Sequence, residues 1–214
     1  MNNQAGQLSR EPGHASVADW REFADAGLAG PLKAALELFS EQGYHGSSVR
    51  EIANRAGLSV PGLYHYYPSK QALLQALLDA AMGDLLERSA VAETAAGADP
   101  VARFDAVVEL LLRFHMYRRE LAFVASTEIR SLDPDYRVGY IARRDQQQRT
   151  LDRIVQDGKD SGDFTTEYPL DASRAITTMC VAVSTWYRPS GALGPDELVR
   201  RYLSVARQTV GYHG

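Results

Sequence analysis

Hydroxyl, phenol, imidazole and cationic side chains crowd the stretch SSVREIANRAGLSVPGLYHYYPSK, residues 47–70. Ser47, Ser48, Arg50, Ser59, Tyr64, His65 and Lys70 can all donate hydrogen bonds to anionic oxygen. None stands in a nucleophile–base arrangement, and the chain contains no G-x-S-x-G, H-E-x-x-H, phosphate-binding glycine loop or paired-cysteine motif. The histidines, His14, His45, His65, His115 and His213, are scattered without ligand spacing, so no metal or cofactor is expected. The chemistry on offer is recognition of phosphate and base edges, and no enzyme activity is expected.

Two short helices and a glycine turn would position these groups. Ser48 and Glu51 form an S-x-x-E capping box. Val49, Ile52, Ala53 and Ala56 recur at spacings of three and four, which is one buried helix face. Gly57 suits a left-handed cap. Ser59 offers a second N-cap and Pro61 lies in the first turn of the next helix, which the Tyr67-Pro68 step ends. A helix-turn-helix built this way presents its second helix to a DNA major groove, although an ordinary helical hairpin has the same geometry. Ser47 and Ser48 would stand at a helix N-terminus, where free N–H groups suit a phosphate. Val60, Pro61 and Gly62 cannot make bidentate base contacts, but Val60 and Pro61 can pack on thymine methyl groups.

The run LELFSEQGYHGSSVREIANRAGLSVPGLYHYYPSKQALL resembles the N-terminal domain of the TetR family of bacterial repressors, over about residues 32–78. The resemblance implies that Tyr64 and Lys70 clamp phosphates and that Ser59, Val60 and Pro61 face base edges. Many relatives carry lysine or another polar residue where this chain has Val60-Pro61. The second half resembles, more narrowly, a TetR subgroup that includes actinobacterial repressors of steroid-ring and fatty-acid breakdown, through RDQQQR, the turn near Gly162 and WYRPSG. That likeness implies an acyl-CoA or related lipid metabolite as effector. No cationic residue lies between Thr177 and Thr185 to meet a CoA phosphate.

Composition bounds the partners. The 214-residue chain has 45% hydrophobic residues and a net charge of −4, which excludes a general polyanion binder but not a local DNA contact. Over residues 32–74, four cations (Lys33, Arg50, Arg55, Lys70) face three carboxylates (Glu37, Glu41, Glu51). DNA binding would then rest on helix termini and a few placed side chains. The single cysteine, Cys180, sits in MCVAV and reads as a small buried hydrophobe. No apolar run approaches the ~20 residues that span a membrane, and no signal-peptide core is seen, so a cytoplasmic, nucleoid-associated protein without membrane contact is expected.

The remaining chain reads as helices broken by proline and glycine, giving an all-α fold of about nine helices without repeats. Residues 1–30 form an arm, disordered or with one short helix capped by Ser16 that would place Trp20 and Phe23 on one face. Residues 31–75 form the DNA-binding domain, and 76–214 a helical effector-binding and dimerisation domain. The helix after Asp99-Pro100 is so apolar that it should lie at the centre. Phe104, Phe114, Met116, Tyr117 and Phe123, with Tyr140, Met179 and Trp186, are candidates to line an effector cavity, though core packing alone would explain most of them. Glu128 and Arg144 would pair with each other or hold the ligand.

A head this small needs a partner, hence a homodimer on a near-palindromic operator. Ile176, Val183, Leu198, Tyr202, Leu203 and Ala206, beside Met179, Cys180 and Trp186, form two apolar stripes suited to a four-helix interface. The expected function is a dimeric repressor released from its operator by a hydrophobic small molecule. Two rivals remain: an architectural DNA-binding protein with a filled core, and a metabolite-binding protein whose helix-turn-helix is vestigial.

Overall fold

The computed structural model describes residues 17–214. Ser16 and the arm before it lie outside the described residues. The described residues form nine α-helices and no strand. Local signals set the helix starts. Ser48, Ser59, Ser69 and Asp99 each accept a backbone N–H at an N-terminus, and proline occupies the first turn of six helices.

Helix α1 (Gly30–Gly46), α2 (Val49–Arg55) and α3 (Val60–Tyr66) form the head. Helix α1 buries Leu32, Ala35, Leu36 and Phe39, as their spacing requires, while Lys33 and Glu41 face water. Gly43 breaks the helix with φ 76° and ψ 166°, a conformation open to glycine. Helix α4 (Lys70–Ala96) starts in the head and runs into the body. Its end absorbs most of the small-residue stretch after Glu93 and stops at Gly97.

In the body, α5 (Pro100–Tyr117) packs against α4, α7 (Pro134–Ser161), α8 (Pro169–Trp186) and α9 (Pro195–Thr209). It is the centre its composition demands, with Phe104, Val107, Val108, Leu110, Leu111, Leu112 and Phe114 all buried. Helix α6 (Arg119–Thr127), followed by a 3₁₀ turn at Glu128–Ser131, touches both α1 and α8. Gly158 on α7 is obligatory, because a Cβ there would collide with the buried Phe164 ring. Cys180 is fully buried, which pushes its thiol up to about 12. Among the described residues no helix is long and apolar enough to cross a membrane.

The expected short helix near Trp20 does not form. Residues 17–29 make a non-helical strap across the body. Trp20 is buried against Ala92, Ala106 and Leu110, whereas Phe23 stacks on Tyr117 with ring centroids 5.0 Å apart. The buried Arg88 holds the strap. Its guanidinium donates to the carbonyls of Trp20 (3.2 Å) and Glu22 (2.8 Å), pairs with Asp84 at 2.6 Å, and lies over the Phe23 ring. Backbone carbonyls captured by a distant side chain leave no helical periodicity to read.

Candidate nucleic-acid interface and effector cavity

Helix α3 fully buries one side chain, Leu63, and offers Pro61, Tyr64, His65 and Tyr66 to solvent. Tyr64 is 47% and Tyr66 63% exposed, and His65 and Pro61 are also exposed. Val60 and Gly62 are half-buried at the start of the helix. Ser59 Oγ accepts the Gly62 N–H at 3.1 Å, which leaves its own O–H free to donate outward. The helix therefore presents a hydroxyl, an apolar step and three aromatic edges. Tyr66 belongs with Tyr64 and His65 by its exposure, and its position in the same aromatic run was the signal for it. Tyr67 packs inward, half-buried, and burial raises its phenol above the usual range.

The groups flanking α3 are not equivalent. Arg50 is exposed and has no partner among the described residues. Arg55 is tied to Glu41 at 2.8 Å. Ser48 is exposed, but its O–H donates to Glu51 at 2.7 Å and its N–H to the same carboxylate at 2.8 Å. The capping box thus places a carboxylate where a phosphate was expected.

Two expected phosphate contacts are corrected by geometry. Ser47 is 4% exposed and spends its hydroxyl on the Gly43 carbonyl at 2.8 Å. Lys70 donates to the carbonyls of Tyr44 and Ser47, both at 2.7 Å, and lies 4.2 Å from the Tyr44 ring centroid. Desolvation holds its ammonium below the usual range. With two of three N–H groups committed, Lys70 acts first as a staple between the end of α1 and the start of α4.

The body contains a cavity of about 390 Å³ among α4, α5, α6, α7 and α8. Leu85, Leu111 and Phe114 supply apolar wall, with Met82, Ala122 and Ala125. Of the residues expected to meet an effector, Phe114, Tyr140 and Arg144 line this cavity. The buried Tyr140 phenol reaches the Ala125 carbonyl at 3.4 Å, and burial pushes it up to about 12. His115 is fully buried in the wall. Desolvation lowers its imidazole to about 4 while Nδ1 meets the Leu111 carbonyl at 2.7 Å.

Other effector candidates lie elsewhere. Phe104 packs edge-on against Phe164 in the core at 5.2 Å. Tyr117 is exposed under the strap, and Met116 is buried away from the cavity. Phe123 and Met179 are half-buried outside the cavity wall, and Trp186 is 41% exposed at the end of α8. Glu128 and Arg144 do not pair. Glu128 accepts the Tyr44 N–H at 3.2 Å and the Ser131 hydroxyl at 2.7 Å, joining α6 to the head. Gln147 and Thr177, both missed from sequence, face the cavity instead.

The dimer assignment also changes. Ile176, Val183, Leu198 and Ala206 are at most 1% exposed and form the subunit core. The outer surface of α8 and α9 carries Trp186 beside Tyr202, their rings tilted by 30° with centroids 5.7 Å apart, half-buried Leu203, and Val205 at 47% exposure.

The comparisons agree with this architecture. Residues 32–77 match the bacterial regulatory proteins of the tetR family, and 97–210 match the tetracyclin repressor-like C-terminal domain. The chain is 26% identical over 176 residues to the HTH-type transcriptional repressor KstR2 of Rhodococcus jostii, covering 81% of this chain and 86% of the relative. Over 178 residues it is 27% identical to KstR2 of Mycobacterium tuberculosis, covering 81% and 88%. The crystal structure of a tetR-family regulatory protein from Rhodococcus RHA1 superposes with a TM-score of 0.79 at 28% identity, covering 90% of this chain and all of that one. An exposed helix on a small head, carried by a helical body with a cavity, thus has its relatives among DNA-binding repressors, and the chain belongs to the TetR family of bacterial regulatory proteins.

Proposed function

We propose that two copies of this chain repress transcription from a near-palindromic operator in the cytoplasm and that a small molecule in the body cavity releases them. The observation that carries this reading is α3, where Leu63 alone is buried and Ser59, Tyr64, His65 and Tyr66 face outward. On this reading residues 31–75 act as the DNA-binding unit and 76–214 as the effector-binding and dimerisation unit. Tyr64, Arg50 and Ser59 bind phosphate. Val60 and Pro61 pack on thymine methyls and His65 reads a base edge. Ser48 reaches phosphate only when its bond to Glu51 opens.

One head covers too few base pairs for useful affinity, so the operator engages two recognition helices about one turn, roughly 34 Å, apart. Trp186, Tyr202, Leu203 and Val205 on α8 and α9 supply the apolar surface for pairing. The effector is a hydrophobic metabolite, an acyl-CoA or other lipid-derived acid, with its anionic end near Arg144 and Arg174 at the cavity. Arg174 meets the requirement that the helix before WYRP left unmet, from one turn earlier.

Two struts join cavity to head. Helix α4 lends Met82 and Leu85 to the wall and Lys70 to the α1 turn. Helix α6 lends Ala122 and Ala125 to the wall and ends beside Glu128, which holds the Tyr44 N–H. A ligand that fits better when these struts separate shifts the population toward the released form. The open cavity disfavours a purely architectural role. The test is binding of the purified protein to DNA upstream of its own gene. Tyr64→Ala is expected to abolish retention, and equal retention by wild type and variant would reject α3 as the contact.

A further inference from the structure

Among the described residues three buried side-chain polar atoms have no hydrogen-bond partner, and two of them, Gln147 Nε2 and Thr177 Oγ1, belong to residues lining the body cavity. Gln147 is 5% exposed, and its Oε1 is fixed by the Ser89 hydroxyl at 2.8 Å, which turns the amide nitrogen away from that bond. His115 shares the wall. Its Nδ1 is committed to the Leu111 carbonyl, so only Nε2 remains, and in that tautomer Nε2 is an acceptor. A buried donor left unsatisfied costs stability, and native proteins keep few of them. That both unpartnered atoms belong to residues lining this one cavity, whose lining also includes the apolar Leu85, Leu111 and Phe114, marks an unfilled half of a hydrogen-bonding arrangement.

We infer that the cavity is built for an apolar skeleton bearing a neutral oxygen, a hydroxyl or ketone, that meets Gln147, Thr177 and His115, and not for a plain hydrocarbon chain. This deepens the proposed effector site and rests on that reading. A hydroxyl satisfies a donor and an acceptor at once, which is what Gln147 Nε2 and His115 Nε2 jointly require. A ketone satisfies Gln147 and Thr177. The size agrees: an engineered cavity of about 150 Å³ holds one benzene ring, so 390 Å³ admits two to three rings or the equivalent chain. Arg144 and Arg174 have no ion-pair partner among the described residues and border the same cavity, with Asp145 as the opposing charge. They suit an acid group at the other end of the ligand.

The experiment compares decanoate with 10-hydroxydecanoate by isothermal titration on the wild-type dimer and on Gln147→Leu and Thr177→Val. In a plain apolar cavity the hydroxyl is a penalty. Here the hydroxy acid is expected to bind tighter to wild type, and each variant is expected to reverse that preference by about tenfold, the loss of one buried hydrogen bond. Thr177→Val is nearly isosteric and keeps the fold. A preference unchanged within about twofold in both variants, tighter binding of decanoate by wild type, or binding of neither acid overturns the inference. Operator binding is measured on the same samples without ligand. Its loss in wild type would reject the repressor reading, whereas its retention beside a failed titration rejects only the oxygen-bearing ligand.

Discussion

Replacing Lys70 by methionine separates two roles that a cation at the edge of a DNA-binding head could play. The structure gives Lys70 two charge-assisted bonds, to the carbonyls of Tyr44 and Ser47, each 2.7 Å long. Bonds to a charged group contribute about 1.5–3 kcal/mol each when buried. The ammonium is only half-buried, and methionine removes its desolvation cost, so the net loss is about 2 kcal/mol. Chemical denaturation of Lys70→Met should show that loss. Affinity for operator should fall as well, because the α1 turn that supports α2 loosens. The slope of log affinity against log salt should not change. Removing a true phosphate contact flattens that slope by about 0.9 per head, and Arg50→Met is expected to do so with no change in stability. If Lys70→Met keeps wild-type stability and flattens the slope, the staple is wrong and Lys70 is a phosphate ligand.

Other expectations follow from single observations. His115 titrates near 4 in the fold against 6.5 for the free side chain. Between those values the unfolded chain binds a proton that the native protein refuses, so stability is full above pH 6.5 and falls as pH drops toward 4. The effect is at most about 3 kcal/mol, and His115→Leu should flatten that part of the stability–pH curve. Val60→Lys should alter the selected DNA sequence more than the overall affinity, and an unchanged selection would place Val60 away from the bases. Val205→Glu, on the exposed face of α9, should yield a monomer by sedimentation and weaken operator binding by on the order of 100-fold through lost avidity. A stable dimer in that variant would move the interface elsewhere.

What could be read from the sequence was local. The Ser48–Glu51 capping box, the cap-and-proline start at Asp99-Pro100, and the α1 face through Leu32, Ala35, Leu36 and Phe39 depend on neighbours within a turn or two. The strap depends on Arg88, far along the chain, and left no periodic trace. Helix α8 explains the misplaced interface. It is apolar on two sides, and periodicity cannot tell which stripe, that of Ile176 and Val183 or that of Met179 and Trp186, faces the core. Gln147 was hidden in the polar run RDQQQR, and Thr177 among small residues, because nothing in residue type reveals a missing partner. Glu128 looked like a ligand group because it is charged and inside the body. Its partners proved to be a backbone N–H of the head and the neighbouring Ser131 hydroxyl.

The most direct measurement is enrichment of random-sequence duplexes on the purified protein, with the subunit number per duplex determined by mass. Two subunits on a near-palindrome, with half-site centres about one helical turn apart and enrichment lost in Tyr64→Ala, are the expected result. A single unpaired half-site, one subunit per duplex, or enrichment that survives Tyr64→Ala would contradict the account.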